Sequence, residues 1–242
     1  MSRILEKAIH RLQKLLLPVL GNRKEKIPYF IVAFVALLIV VLGINIFVEL
    51  TEEVIEDTLT LYDQRITEFI LSYRSPFLTQ FFKAVTAIGE KEGYLIILGV
   101  CILLTIFIFK RWKYIAQIVV VLFLAAASNV ILKRFIDRAR PGIDPLVIVK
   151  SLSYPSGHAM ASIAFYGFLI YLLYRFKMNI FLKFFLILMF LFLILSIGIS
   201  RIYLGVHFPS DVAGGYIAGL IWVFFCIFIF NLIEVFRKDL RT

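Results

Sequence analysis

The sequence predicts an all-α fold, a bundle of six membrane-spanning helices, and three observations predict it. Apolar residues make up 62% of the 242-residue chain and charged residues only 17%, against about 45–50% and about 25% in a soluble globular chain. The apolar residues gather into six stretches, and hydrocarbon about 30 Å thick takes about 20 apolar residues in a helix to cross. Bases and acids, finally, separate onto alternate sides of those stretches. Helices are the economical choice for such segments, because a lone strand would leave its backbone polar groups unsatisfied in lipid.

The elements follow in order. Residues 1–26 place Ile4, Leu5, Ala8, Ile9, Leu12, Leu15 and Leu16 at helical spacing, with Arg3, Lys7, Arg11 and Lys14 between them. This pattern predicts an amphipathic helix on the inner leaflet, its bases near lipid phosphates. Pro18 and Gly21-Asn22 punctuate the chain before the membrane domain of residues 27–242. Ile27–Val48 is the first span. It lies too deep, behind too many charges, to be a cleavable signal peptide. Residues 51–92 form an outer insertion, acidic at first and then amphipathic (Ile66, Phe69, Ile70, Phe77, Leu78, Phe81, Phe82), predicting one or two short surface helices broken near Ser75-Pro76. Tyr94–Phe109, Tyr114–Leu132, Met160–Tyr174, Ile180–Ile199 and Val212–Phe236 supply the other spans, the fourth reaching full length if its helix begins at Ser156. Gly215-x-x-x-Gly219 permits close helix packing and fits a contact within the bundle better than a dimer seam.

Topology follows from charge. With both termini in the cytoplasm, the inner segments and span ends hold 16 of the 26 basic residues and 4 of the 16 acidic ones. Cytoplasmic excess of Lys and Arg is the expected sign of orientation. The net charge of +10 therefore reads as membrane topology and not as a nucleic-acid surface. Cys101 and Cys226 both fall in predicted spans and imply neither a disulfide framework nor a metal site.

Three polar patches interrupt this apolar chain: Lys133 to Arg140-Pro141, Pro155-Ser156-Gly157-His158, and Ser200-Arg201-x5-His207-x3-Asp211. The predicted topology puts all three at the outer face. Lys133, Arg140 and Arg201 are cations suited to a bound phosphate, the guanidinium offering two donors in one plane. Ser156 occupies an N-cap position, so the amides of Gly157 and His158 would point out of a helix start, a natural place for an anion. His207 and Asp211 stand one helical turn apart, which lets the carboxylate accept from one ring nitrogen and leaves the other free to attack. His158, from a different helix, is free to protonate a departing oxygen.

In this order, Lys-x6-Arg-Pro, Pro-Ser-Gly-His and Ser-Arg-x5-His-x3-Asp resemble the three signature motifs of the type-2 phosphatidic acid phosphatases. That superfamily also includes bacterial acid phosphatases and vanadium-dependent haloperoxidases. The resemblance covers residues 85–235 and implies an all-helical, metal-independent phosphatase with no cofactor. It implies that His207 is a nucleophile forming a phosphohistidine, that Asp211 orients it and that His158 is the general acid. Lys133, Arg140, Ser156, Gly157 and Arg201 would hold the phosphate, with Arg138 a weaker candidate. The expected substrate is a membrane lipid phosphate or diphosphate: undecaprenyl diphosphate, phosphatidylglycerol phosphate, phosphatidic acid or a lipid A phosphate. The expected setting is a bacterial cytoplasmic membrane with the site facing outward; the motifs leave the oligomeric state open. A lipid phosphotransferase using the same histidine, and a non-enzymatic lipid-binding or transport protein, are the competing readings.

Overall fold

The computed structural model describes residues 27–104, 106–107, 112–149 and 151–237, with side chains as far as residue 234. The expected inner-leaflet helix of residues 1–26 lies outside them. Eight helices and no strand occur among the described residues: α1 (Ile27–Ile55), α2 (Thr60–Leu71), α3 (Pro76–Ile88), α4 (Lys91–Leu104), α5 (Lys113–Ile136), α6 (Gly157–Arg175), α7 (Ile180–Tyr203) and α8 (Pro209–Arg237). Five of them, α1, α5, α6, α7 and α8, are long and apolar enough to cross a membrane. The sixth expected span is described only as α4, which stops short of Phe109.

Two compact units divide the chain. One comprises Val41–Val223; the other takes in the first part of α1 and the last part of α8. In the smaller unit Ala33, Ala36 and Val40 are buried along one stripe of α1. In the larger unit α6 is the most deeply buried span, half of its length being covered, and it is also the least apolar of the five. These facts go together: a helix surrounded by other helices does not need a lipid-facing coat. Its Ala159, Ala164, Phe165, Tyr166 and Phe168 are fully buried, and α5 and α7 pack against it. On α7, by contrast, Phe184, Phe185, Phe192 and Leu195 are exposed, as lipid-facing positions should be. Midway along α6 the residues Ile163–Gly167 form a π-turn.

The insertion of residues 51–92 breaks where its sequence says it should. Ser75 caps α3 by accepting from the Leu78 amide at 3.3 Å, and Pro76 takes the first helical position, where a missing N–H costs nothing. The amphipathic pattern of α2 turns its apolar residues outward. Leu61, Tyr62, Ile66 and Phe69 face outward, whereas Asp63 and Thr67 are buried. Ile70, by contrast, packs against the core. The reason is that the surroundings are apolar and the feature α2 covers is polar.

Small residues set the spacing of α6 and α8. A Cβ at Gly215 would stand 2.6 Å from the Ser156 carbonyl oxygen, and one at Gly219 would stand 2.6 Å from the Met160 carbonyl oxygen. The Gly215-x-x-x-Gly219 stripe is thus an intramolecular seam. Gly215→Ala is expected to destabilise the fold by about 1–3 kcal/mol, the usual range for overpacking, and to lower phosphate release with it. Thermal unfolding in detergent checks this, with Gly99→Ala as the neutral control because nothing lies within 4 Å of a Cβ there.

Candidate active site

The site lies where α5 and α7 end and α6 and α8 begin, wholly within the Val41–Val223 unit. α7 finishes at Tyr203, and Gly205 takes a positive φ of 74°, which a side chain would resist. That reversal folds the Val206 and His207 amides back onto the Arg201 carbonyl at 3.1 and 3.3 Å. His207 is thereby set beside the start of α8, 2% exposed. Asp211 sits in the first turn of α8 and reaches back to the Phe208 amide at 2.8 Å, as a carboxylate does in a capping box. The same oxygen accepts from the Ser153 hydroxyl and lies 3.4 Å from His207 Nδ1.

The tautomer of His207 follows from its neighbours. Arg140 Nη1 lies 3.3 Å from Nε2; a guanidinium can only donate, so Nε2 accepts and the ring proton sits on Nδ1, facing Asp211. This is the form in which Nε2 carries a lone pair. Burial pushes the imidazole down to about 4, outweighing the upward pull of its hydrogen bond to Asp211.

The loop between α5 and α6 supplies the rest of the frame. Arg140 donates to the carbonyls of Ser151 (2.6 Å), Leu152 (3.2 Å) and Val206 and to the Ser151 hydroxyl at 3.1 Å. Lys133 donates to the carbonyls of Leu152 and Ser153. Both cations therefore shape the loop as well as charging it. Tyr154 is fully buried, its hydroxyl 3.0 Å from Thr51 on α1. The Ser156 amide donates to the Asp211 carbonyl at 2.9 Å, joining the start of α6 to that of α8. A Cβ at Gly157 would stand 2.9 Å from Asn129 Oδ1, and Asn129 itself holds the Pro155 carbonyl at 3.1 Å.

Ser156 occupies the N-cap position of α6 without using its side chain as a cap. Its hydroxyl oxygen, His158 Nε2 and Arg201 Nε are all buried with no protein partner. His158 is in electrostatic reach of Arg201, His207, Arg140 and Lys133, so the three motifs do meet in one neighbourhood. Arg201 is held by Thr86 of α3, whose hydroxyl accepts from Nη1 at 2.6 Å.

Arg138 does something different from its neighbours. It donates to Asp211 Oδ1 at 2.7 Å, to the Ser210 hydroxyl at 2.7 Å and to Asp63 Oδ2 at 2.8 Å, with Phe208 stacked 4.6 Å from it. Its guanidinium thus faces carboxylates, and the weak expectation that it holds phosphate does not fit this geometry. Sequence reasoning passed over Asp63, Thr86 and Ser153. Only Ser153, two residues before Pro155, stood close enough to a motif to be noticed.

Comparisons with known proteins bear on the family and the fold. The model of the PAP2 superfamily matches residues 94–233. Phosphatidylglycerophosphatase B of Bacillus subtilis (strain 168) is 33% identical over 165 residues, 67% of this chain and 80% of that protein. The crystal structure of the first transmembrane PAP2 type phosphatidylglycerolphosphate phosphatase, from Bacillus subtilis, superposes with a TM-score of 0.72 at 29% identity, covering 79% of this chain and 95% of the other. That of Aquifex aeolicus LpxE gives 0.54 at 25% identity, covering 70% and 93%. Apolar spans, three converging motifs and these likenesses lead to one conclusion: the chain belongs to the PAP2 superfamily and is a membrane lipid phosphatase.

Proposed function

We propose that the protein hydrolyses the phosphomonoester of a glycerophospholipid, phosphatidylglycerol phosphate before the other candidates, at the outer face of a bacterial cytoplasmic membrane. The observation that carries this reading is the set of buried, unpartnered atoms, Ser156 Oγ, His158 Nε2 and Arg201 Nε, beside a His207 whose Nε2 bears a lone pair. A buried polar atom without a partner is costly, and a phosphate oxygen would satisfy each donor here. The preference for phosphatidylglycerol phosphate rests on the names of the two Bacillus subtilis proteins above.

The chemistry follows from the residues. The phosphoryl group enters between Arg140 and His207, exchanging their mutual hydrogen bond for contacts to phosphate oxygens. Arg201, Arg140 and Lys133 offset its charge, and positioning plus charge stabilisation is what phosphoryl transfer needs most. His207 Nε2 attacks phosphorus as the bond to the lipid oxygen breaks, and His158, which takes up a second ring proton when the anionic phosphate lies against it, gives that oxygen the proton on Nε2 and is left neutral. Asp211 steadies the positive imidazole as the nitrogen–phosphorus bond forms. Water then attacks the phosphohistidine, His158 recovers the proton and inorganic phosphate leaves. A lipid phosphotransferase would share the first half of this sequence, so product analysis separates the two.

Phosphate release from the four candidate lipids in liposomes tests the proposal. Turnover is expected to be highest on phosphatidylglycerol phosphate, unaffected by chelator and inhibited by vanadate. No release from any of them would sink the reading; equal release from all would sink the preference.

A further inference from the structure

We infer that Asp63 is a positioning residue for the reaction, acting through Arg138 to keep the Asp211 carboxylate effectively negative beside His207. The inference rests on the reading of His207 as nucleophile. Its starting point is geometric. Asp63 is 2% exposed on a helix that turns its apolar residues outward. It accepts from Arg138 Nη2 at 2.8 Å, from the Ser210 amide at 2.9 Å and from the Ser210 hydroxyl at 2.5 Å. Arg138 in turn donates to Asp211 Oδ1 at 2.7 Å. Asp63, Arg138, Asp211 and His207 thus form one chain, with Asp63 and Asp211 both gripping the first turn of α8. A carboxylate at a helix N-terminus is favourably placed, and here it comes from another helix.

Charge explains why that chain needs its outer carboxylate. His207 must become positive as its bond to phosphorus forms. The groups acting on it are Arg140 from the loop, Arg201 from α7, His158 from α6 and Asp211 from α8, while Arg138 from the loop and Lys133 from α5 act on Asp211. Asp211 alone with Arg138 would be a neutral ion pair, leaving the imidazole among cations with little to balance it. Asp63 restores the balance: two carboxylates share one guanidinium, and the chain carries a net negative charge toward His207. In a buried setting the sum of nearby charges governs which form of a titrating group is favoured.

The test is a charge series read in the acid limb of the pH dependence of kcat/KM, which reports the proton on free His207. Asp63→Asn is expected to move that limb to lower pH by roughly one unit and to cut kcat/KM at neutral pH roughly tenfold. Arg138→Gln, which leaves two unshared carboxylates, is expected to move the limb to higher pH. The double variant Asp63→Asn/Arg138→Gln returns the net charge to its original value, and its limb is expected to return with it. Opposite shifts that cancel are something a mere loss of packing does not produce. Should Asp63→Asn not fold, Arg138→Gln and the double variant still decide the matter by their difference. A limb that stays put throughout, or a double variant no nearer wild type than the singles, overturns the inference. His207→Ala, run alongside, keeps the two levels apart: if it retains turnover the nucleophile reading has failed, and if it is inactive while the charge series is flat, only the role of Asp63 has failed.

Discussion

His207→Ala is expected to lose several orders of magnitude in turnover while the protein still folds. Nε2 is the atom proposed to bond to phosphorus, and no other group of the site stands in for it. Removing a nucleophile lowers kcat far more than it weakens binding. Folding should survive because His207 is fastened through its backbone amide to Arg201 as well as through its ring. Turnover on phosphatidylglycerol phosphate together with thermal unfolding checks both halves. The wild-type enzyme carries a companion signature. With the imidazole held down at about 4, Nε2 stays unprotonated well below neutrality, and kcat/KM should fall only as the pH drops through about that value. An acid limb at the ordinary histidine position, near pH 6.5, would show that another group governs it.

His158→Ala should cost less, and its cost should depend on the substrate. A general acid matters in proportion to how poor the leaving group is, contributing roughly a hundredfold to ten-thousandfold where proton transfer is needed. On a lipid phosphate, which expels an alkoxide, the loss is expected near the top of that range. On p-nitrophenyl phosphate, whose leaving group departs without help, it should shrink to about tenfold or less. Equal losses on both substrates would assign His158 to binding and not to proton transfer. The buried, partnerless Nε2 of His158 is the atom this comparison addresses.

What the sequence conveyed divides along a physical line. Periodicity and hydropathy mark a helix whenever lipid is its surroundings, so α1, α5, α7 and α8 were legible, and Ser156 marked the start of α6. The three motifs were legible because charged and polar side chains stand out against an apolar background, and the one-turn spacing of His207 and Asp211 says which face they share. The partners that hold those side chains were not. Asp63 looked like one more acid in an acidic insertion, and an amphipathic pattern does not say that the polar face is the one α2 buries. Thr86, a neutral residue in a short helix, gave no signal at all. For Arg138 the sequence supplied a charge but not a direction, and direction decides whether a guanidinium meets phosphate or carboxylate. The outer insertion was therefore readable as helices and unreadable as part of the site.

The region matched by the family begins at residue 94, yet two of the guanidinium groups it contains find partners upstream, Arg138 at Asp63 and Arg201 at Thr86. A core trimmed to the shared motifs would leave Arg138 with Asp211 and Ser210 alone and would take from Arg201 the hydroxyl of Thr86. The segment before residue 94 is therefore a keystone of the candidate site, since it holds two of the site's three arginines from outside.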